Sequence, residues 1–307
     1  MNASTPRATL FFKEAPHALP PSQGFAVFED RAFILHHTGM CCVYDLKARD
    51  GAPLAVFPLG SYNAGSPTKD YTNHSNSCMF GKEHYNGNPI PLLYVVIGAG
   101  IGYDEDGYFY RCAVENITRN ETDGKETYQA QTLQVISYHP EGIEDTDFLP
   151  PCWGCPAFFA DTEHRALYMF SAKYRTKRGT LPEGERENTY LITKFDLPSL
   201  DQGALVRLTP RDIRDQFTVC SDILFTQGGA LADQKIYYTF GCPMSKEKYP
   251  NEIAVFDLNA RTMCARISDL DEALHMEEIE SCEFYNGELL CNTSAGSVFV
   301  IDKKLLS

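Results

Sequence analysis

Short strand-like segments recur along this chain of 307 residues, and that self-similarity constrains the fold more than any other feature. Within residues 23–59, apolar runs alternate with polar turns about every eight to twelve residues, which is typical of an antiparallel meander. The run CCVYDL at residues 41–46 is repeated as YLITKFDL from Tyr190, NEIAVFDL from Asn251 and SVFVIDK from Ser297. Regular repetition of strands predicts many copies of one structural unit rather than unrelated domains.

The repeats define five units, whose innermost strands begin near residues 23, 76, 154, 227 and 280. Only four of the five units carry their own outer strand, and the segment ATLFFK from Ala8 can supply the fifth. An N-terminal strand that completes the last sheet closes a ring and removes open sheet edges. The sequence therefore predicts an all-β fold, a five-bladed β-propeller closed by its N-terminal strand. The alternative is a six-bladed propeller in which residues 98–138 form an extra sheet.

We expect a single domain, with blades at about residues 22–59, 73–138, 152–208, 220–267 and 278–303, the last completed by residues 8–13. The third blade would take its outer strand from residues 204–209, and residues 209–219 would be a linker. Residues 116–128 and 175–188 would be polar loops inserted into blades two and three.

Charge and hydropathy narrow the range of partners and locations. The formal net charge of −14 disfavours nucleic acid and anionic membranes, both of which attract clusters of Lys and Arg. No stretch of 18 apolar residues is present, so no membrane span is expected. The N-terminus does not read as a secretory signal, which favours a cytoplasmic protein. The alternative is a secreted protein whose leader has been trimmed.

The eleven cysteines indicate mostly free thiols in a reducing compartment, because the count is odd and no secretory signal precedes them. The CxxC sequence at residues 152–155 lacks a second ligand pair for zinc, so no transition-metal site is expected. Asp104 and Asp106 lie in an acidic, Gly-rich stretch that fails the spacing of a calcium loop. A structural Ca²⁺ near these two residues is the one cofactor that the pattern leaves open, and an Asp-Gly turn is the simpler interpretation.

Polar residues precede the predicted inner strands. In a propeller these strands line a central channel, so their first residues gather at one channel mouth. The candidates for ligand binding there are Gln23, Asn76, Asp222 and Gln227, and the candidates for catalysis are His74 and Glu280. A few convergent polar groups in a concave setting are typical of a small-ligand site. The alternative is that they satisfy one another's hydrogen bonds, as buried polar groups must.

Two groups of motifs resemble known propellers. The SQG at residues 22–24, the HTG at residues 37–39, the FTQG at residues 225–228, and Glu280 with the FYNGELL that follows it resemble plant and bacterial-type glutaminyl cyclases. Those enzymes are five-bladed propellers that cyclise N-terminal Gln to pyroglutamate. The NHSN at residues 73–76, the FG at residues 80–81 and the PLLYV at residues 91–95 resemble uncharacterised bacterial five-bladed propellers.

Three functional hypotheses follow. The first is a propeller that binds a small molecule or peptide at the channel mouth, or acts as a scaffold. The second, implied by the resemblance, is a cyclising acyl-transfer enzyme in which Glu280 moves protons while Gln23 and Gln227 hold the amide oxygen. The third is a hydrolase or lyase acting on a sugar or lactone, with His74 paired to Asp222 or Glu280.

Overall fold

The structure is a computed structural model that describes residues 7–62, 74–75, 77–97, 111–150, 157–173 and 181–305. The described residues form five sheets, each built around four antiparallel strands. Helical structure in this part of the chain is limited to single 3-10 turns at Ile143–Asp145, Leu200–Gln202, Pro210–Asp212 and Lys303–Leu305. None of the described residues belongs to a helix long and apolar enough to cross a membrane.

Each blade is a meander in which the chain runs from the innermost strand outward. Blade one contains β2 (Ser22–Phe28), β3 (Arg31–His36), β4 (Met40–Asp45) and β5 (Ala55–Pro58), and blade two contains β6 (Cys78–Phe80), β7 (Leu93–Ile97), β8 (Arg111–Thr122) and β9 (Lys125–Tyr138). Blade three contains β10 (Ala157–Asp161), β11 (Ala166–Ala172), β12 (Asn188–Asp196) and β14 (Ile213–Ser221). Blade four contains β15 (Thr226–Ala232), β16 (Lys235–Cys242), β17 (Tyr249–Asp257) and β18 (Thr262–Ile267).

Blade five is completed by the N-terminal strand. It contains β19 (Ile279–Tyr285), β20 (Glu288–Thr293) and β21 (Ser297–Ile301), and β1 (Ala8–Lys13) pairs antiparallel with β21 at its outer edge. The inner strands contact one another in the order β2, β6, β10, β15, β19 and back to β2, which closes the ring. The predicted all-β, five-bladed propeller with N-terminal closure is therefore confirmed.

The core lies between the blades, where aromatic side chains from neighbouring sheets stack. Phe170 of blade three lies 4.2 Å from Tyr238 of blade four, measured between ring centroids, and also stacks on Tyr190. The described cysteines are all free thiols, as expected. Most of them are buried, but Cys220 and Cys264 are exposed.

The third blade differs from the prediction at its outer edge. The segment expected there forms β13 (Leu205–Leu208), which pairs in parallel with β9 and so extends blade two. The outer strand of blade three is instead β14, in residues that were expected to be a linker. Both segments mix apolar and polar residues, and this local composition does not encode which sheet edge a strand will join.

The polar segment at residues 116–128 was expected to be a loop but forms part of a long hairpin between β8 and β9. Its turn is Asp123-Gly124, in which both residues have positive φ angles of 52° and 72°. This is the two-residue turn geometry that Asp-Gly favours in a hairpin. The hairpin therefore extends two core strands into solvent with a polar sequence.

Candidate functional site

The inner strands of blades one, four and five each begin with a β-bulge at the upper face, which we define as the face where the inner strands start. The regular pairing is interrupted between Ser22 and Phe25, between Thr226 and Gly229, and between Ile279 and Ser281. Gln23, Gln227 and Glu280 are the second residues of these strands and lie within the interruptions. A bulge re-aims a side chain relative to the regular pleat. Three of the predicted site residues thus occupy equivalent positions in three consecutive blades.

Gln23 belongs to a group of buried polar atoms between blades five and one. Its amide nitrogen donates to the carbonyl of Ser22 at 3.0 Å, and its own backbone carbonyl accepts from Asn292 Nδ2 at 2.8 Å. Ser281 lies opposite Asn292 in the pairing of β19 with β20. In the described part of the chain, Gln23 Oε1, Asn292 Oδ1 and Ser281 Oγ are buried and have no hydrogen-bond partner. Buried polar atoms normally have a protein, water or ligand partner.

Gln227 is held more firmly than Gln23. Its amide nitrogen donates to Glu278 Oε1 at 2.7 Å and to the carbonyl of Gly241 at 3.2 Å. Glu280 is buried beside it on β19, and the hydroxyl of Thr239 lies 3.1 Å from the Glu280 carbonyl oxygen. The amide of Gln227 is therefore bound to the carboxylate of Glu278 at the seam between blades four and five.

His74 is buried before the second inner strand and packs edge-on against His37, with 4.4 Å between the ring centroids. His37 directly follows the end of β3, so the two rings lie at the upper face of blades one and two. The structure therefore places His74 near the predicted mouth, in contact with another imidazole.

Asp222 is not among the residues that contact one another at the channel mouth in the described part of the chain. It is exposed, and its carboxylate pairs at 2.7 Å with Arg266 on β18, the outermost strand of blade four. Arg266 also binds Glu252 through two hydrogen bonds. No contact among the described residues connects Asp222 with His74, so a hydrolase built on that pair gains no geometric support. Asn76, Asp104, Asp106 and the CxxC at residues 152–155 lie outside the described residues.

A second polar cluster, which the sequence did not predict, lies on the same face beside Gln23. We call it the Glu14 cluster, and it consists of Glu14, His17, Ser22, His36 and Tyr44 together with Cys42. Glu14 accepts hydrogen bonds from Tyr44 Oη at 2.6 Å, from His17 Nε2 at 2.9 Å and from the hydroxyl of Ser22. The backbone N–H of Leu19 donates to His17 Nδ1, so the ring proton is on His17 Nε2, which donates to Glu14.

His36 lies next to Glu14, and a hydrogen bond on the far side of its ring fixes the ring's orientation. Its Nδ1 lies 2.8 Å from the carbonyl oxygen of Pro20, which can only accept, so Nδ1 carries a proton. Its Nε2 lies 3.4 Å from Glu14 Oε2. Burial opposes ionisation of both groups, yet their mutual attraction and the surrounding donors lower the pKa of Glu14 to about 2. Burial likewise lowers the pKa of His36, but Cys42 and Glu14 together raise it to about 10.

A cavity of about 340 Å³ adjoins the Glu14 cluster at the upper face. It is lined by Glu14, His17 and Ser22, by the Pro20-Pro21 segment and by the turn that contains Gly296. A Cβ atom at Gly296 would lie 2.9 Å from Glu14 Oε1, so this position has no room for a side chain. The cavity gives solvent and small molecules access to one side of the Glu14 carboxylate.

Glu283 is a further residue that the sequence analysis missed. It lies on β19 three residues beyond Glu280 and is partly exposed. Burial raises the pKa of its carboxyl to about 7, although the backbone N–H of Phe284 donates to it and opposes that rise. A second acidic residue beyond Glu280 on a mostly apolar strand was the available signal, since a carboxylate there needs either a partner or a raised pKa.

The opposite, lower face has its own cavity, of about 390 Å³, at the turns that end the inner strands of blades two, three and four. Gln234 Nε2 donates to Asp161 Oδ2 at 2.5 Å, and His164 Nδ1 lies 2.9 Å from the same oxygen. Burial would raise the pKa of Asp161, but the bonds from Gln234 and His164 hold it below its usual value. These three side chains satisfy one another, which is what a structural turn requires.

The fold and the upper-face geometry define a five-bladed β-propeller with a polar channel mouth. No protein-family model matches the chain, and no curated protein sequence matches it. Among solved structures, the chain is similar to glutaminyl cyclase of Myxococcus xanthus, with 12% identity, a TM-score of 0.48, and coverage of 96% of this chain and 95% of that one. It is also similar to Raptor of Chaetomium thermophilum, at 12% identity and a TM-score of 0.39, over 94% of this chain and 20% of that chain. A computationally designed protein, Ika8, is similar at 9% identity and a TM-score of 0.35, over 95% of this chain and 99% of that one.

Proposed function

We propose that the protein binds a small ligand at the upper mouth of its central channel. The observation that supports this proposal is the set of three equivalent bulges, at which Gln23, Gln227 and Glu280 occupy the same strand position in consecutive blades. Bulges are frequent next to functional sites because they re-aim side chains that a regular strand would point into its neighbours. A purely structural inner strand has no need of a polar residue at each bulge.

The chemistry of the mouth indicates what kind of ligand it would accept. Gln23 and Asn292 use their amide nitrogens on backbone carbonyls, which leaves their amide oxygens as acceptors. Glu278 and Glu280 add carboxylates, and the amide nitrogen of Gln227 is already bound. Acceptors therefore outnumber donors, so the ligand should supply N–H groups, directly or through an ordered water. A primary amine or ammonium group fits this requirement.

The test is a binding assay with small primary amines and matched ligands that lack the amine. Glutaminamide, glycinamide and a peptide with N-terminal Gln would be compared with their N-acetyl forms by thermal shift and calorimetry. We expect only the free amines to bind. Gln23→Met and Glu280→Gln should each weaken binding about tenfold, because each removes an acceptor or a charge that meets the ligand's donors.

The matched control is Gln234→Met, which removes an amide of the same kind at the lower face. It should leave the affinity for amines unchanged. Equal binding of free and N-acetylated ligands would refute the proposed site. So would equal affinities in Gln23→Met, Glu280→Gln and the control Gln234→Met.

A second candidate is a cyclising enzyme, favoured by the two carboxyl groups on β19. In that reaction the α-amine of an N-terminal Gln attacks its own side-chain amide carbon. A C–N bond forms in the ring, the bond to the amide nitrogen breaks, and one proton moves from the amine to the departing ammonia. Glu280 lies at the bulge, and Glu283 has a carboxyl whose pKa of about 7 suits proton transfer near neutral pH.

The same peptide with N-terminal Gln separates the two candidates. Ammonia release together with the matching loss of peptide mass would identify cyclisation, whereas binding without turnover would leave ligand binding alone. An enzyme of this kind should lose most of its rate in Glu280→Gln. Full cyclisation by that variant would remove Glu280 from the mechanism.

A further inference from the structure

The Glu14 cluster also brings together three potential metal ligands that are far apart in the sequence. Glu14 lies just after β1, His36 ends β3 and Cys42 lies within β4. Their ligand atoms all lie within 4.8 Å of one another, and all three residues are buried. We propose that Glu14, His36 and Cys42 bind a transition-metal ion, with zinc as the best match. This inference is independent of the proposed ligand site.

The orientation of His36 is the strongest support. Its Nδ1 proton is donated to the Pro20 carbonyl, which fixes the ring and directs Nε2 toward Glu14 and Cys42. Among the described residues, Nε2 is fully buried and has no hydrogen-bond partner. Histidines that ligate metals characteristically donate their other ring N–H to a carbonyl or carboxylate in this way. A buried ring nitrogen aimed at a carboxylate and a thiol is an arrangement in which a metal ion can replace the His36–Glu14 ion pair.

The surroundings of Glu14 also resemble the outer shell of a metal site. Tyr44 and Ser22 donate to its two oxygens, and His17 donates to Oε2. Hydrogen bonds of this kind orient a ligating carboxylate and are typical around bound metals. Glu14 and His36 are therefore held in place before any ion arrives, which lowers the free-energy cost of binding.

The ligand types select the metal. Thiolate and imidazole favour zinc and related transition metals, whereas calcium and magnesium require oxygen ligands. Three protein ligands leave a fourth tetrahedral position, which solvent from the adjoining cavity could fill because Glu14 and His17 line both the cluster and the cavity.

The test measures metal directly, without any assay of activity. The full chain, stripped with a chelator and shown by circular dichroism to remain folded, would be titrated with Co²⁺ and then with Zn²⁺. We expect one equivalent of Co²⁺ to bind, with a thiolate-to-cobalt charge-transfer band, and zinc to displace it. Elemental analysis of protein expressed with zinc should give one ion per chain.

Variants test the ligands individually. Cys42→Ser should abolish the charge-transfer band, and His36→Gln should weaken Co²⁺ binding at least about tenfold. The matched control is Cys41→Ser, since Cys41 is the adjacent buried cysteine but packs into a different part of the core from Cys42. It should retain the band. The proposal would be overturned if the folded wild-type protein bound neither Co²⁺ nor Zn²⁺. It would also be overturned if the charge-transfer band persisted in Cys42→Ser.

Discussion

At the scale of single residues, Glu283 is the group whose behaviour should depend most on pH. Its carboxyl lies on the inner strand of blade five, and burial raises its pKa from 4.5 to about 7. The folded protein therefore favours the protonated carboxyl, and ionisation is unfavourable there compared with the unfolded chain. Near neutral pH this partly exposed group therefore changes its charge on the inner strand of blade five.

We predict that Glu283 makes the free energy of unfolding depend on pH. Its stabilising contribution is fully present below pH 4.5 and is lost as the pH rises to about 7. Relative to Glu283→Gln, which cannot ionise, the free energy of unfolding of the wild-type protein should fall across that interval. Above it, the difference between the two proteins should stay constant. Urea unfolding of both proteins at several pH values measures the difference, and a constant difference would show that the carboxyl keeps its ordinary pKa.

At the scale of secondary structure, the inner strand β2 depends on a glycine at its bulge. The backbone N–H of Gly24 donates to the Ser75 carbonyl at 2.8 Å, which joins blade one to the segment before β6. A Cβ atom at Gly24 would lie 2.5 Å from that carbonyl oxygen. The strand can therefore approach its neighbour this closely only because residue 24 has no side chain.

We predict that Gly24→Ala lowers the free energy of unfolding by about 1–3 kcal/mol, because the two backbones must separate to admit the methyl group. It should also weaken binding of any ligand held by Gln23, whose position the bulge determines. Chemical denaturation measures the first effect. A change in stability of less than about 0.5 kcal/mol is the range of an ordinary surface substitution. It would mean that the segment around Ser75 can move away from residue 24 at little cost in free energy.

The edge strands β13 and β14 are the elements whose sheet could not be predicted from the sequence. The repeats locate nearly every inner strand, because alternation and turn residues are local signals. They misassign β13 and β14, because the choice between two sheet edges depends on where the chain returns after blade three. The polar residues of β14 also resemble a linker, although one edge of that strand pairs with β12 from Asn188 to Phe195.

At the scale of the whole molecule, the N-terminal strand joins the two ends of the ring. Phe12 of β1 packs against Tyr44 of blade one with 5.3 Å between ring centroids, while Phe11 contacts Tyr285 of blade five. Both phenylalanines are buried, and Leu10 on the same strand is 46% exposed. The strand therefore contributes packing to both blades as well as the backbone hydrogen bonds that complete blade five.

We predict that Phe12→Ala destabilises the protein by about 3–5 kcal/mol, because it opens a cavity at the closure of the ring. Leu10→Ala is the matched control on the same strand and should change stability by less than about 0.5 kcal/mol. Urea unfolding curves give both values. Similar losses in the two variants would mean that the closure depends on the backbone pairing of β1 rather than on its side chains.

The repeat, the number of blades and the closing role of the N-terminal strand could all be predicted from the sequence, because each follows from local alternation and from counting strands. The sequence also located Gln23, Gln227 and Glu280 at the starts of inner strands. Which side chains contact one another is visible only in three dimensions: Asp222 pairs with Arg266, and Glu14, His36 and Cys42 converge. Such meetings depend on the path of the whole chain in three dimensions, which no local pattern contains.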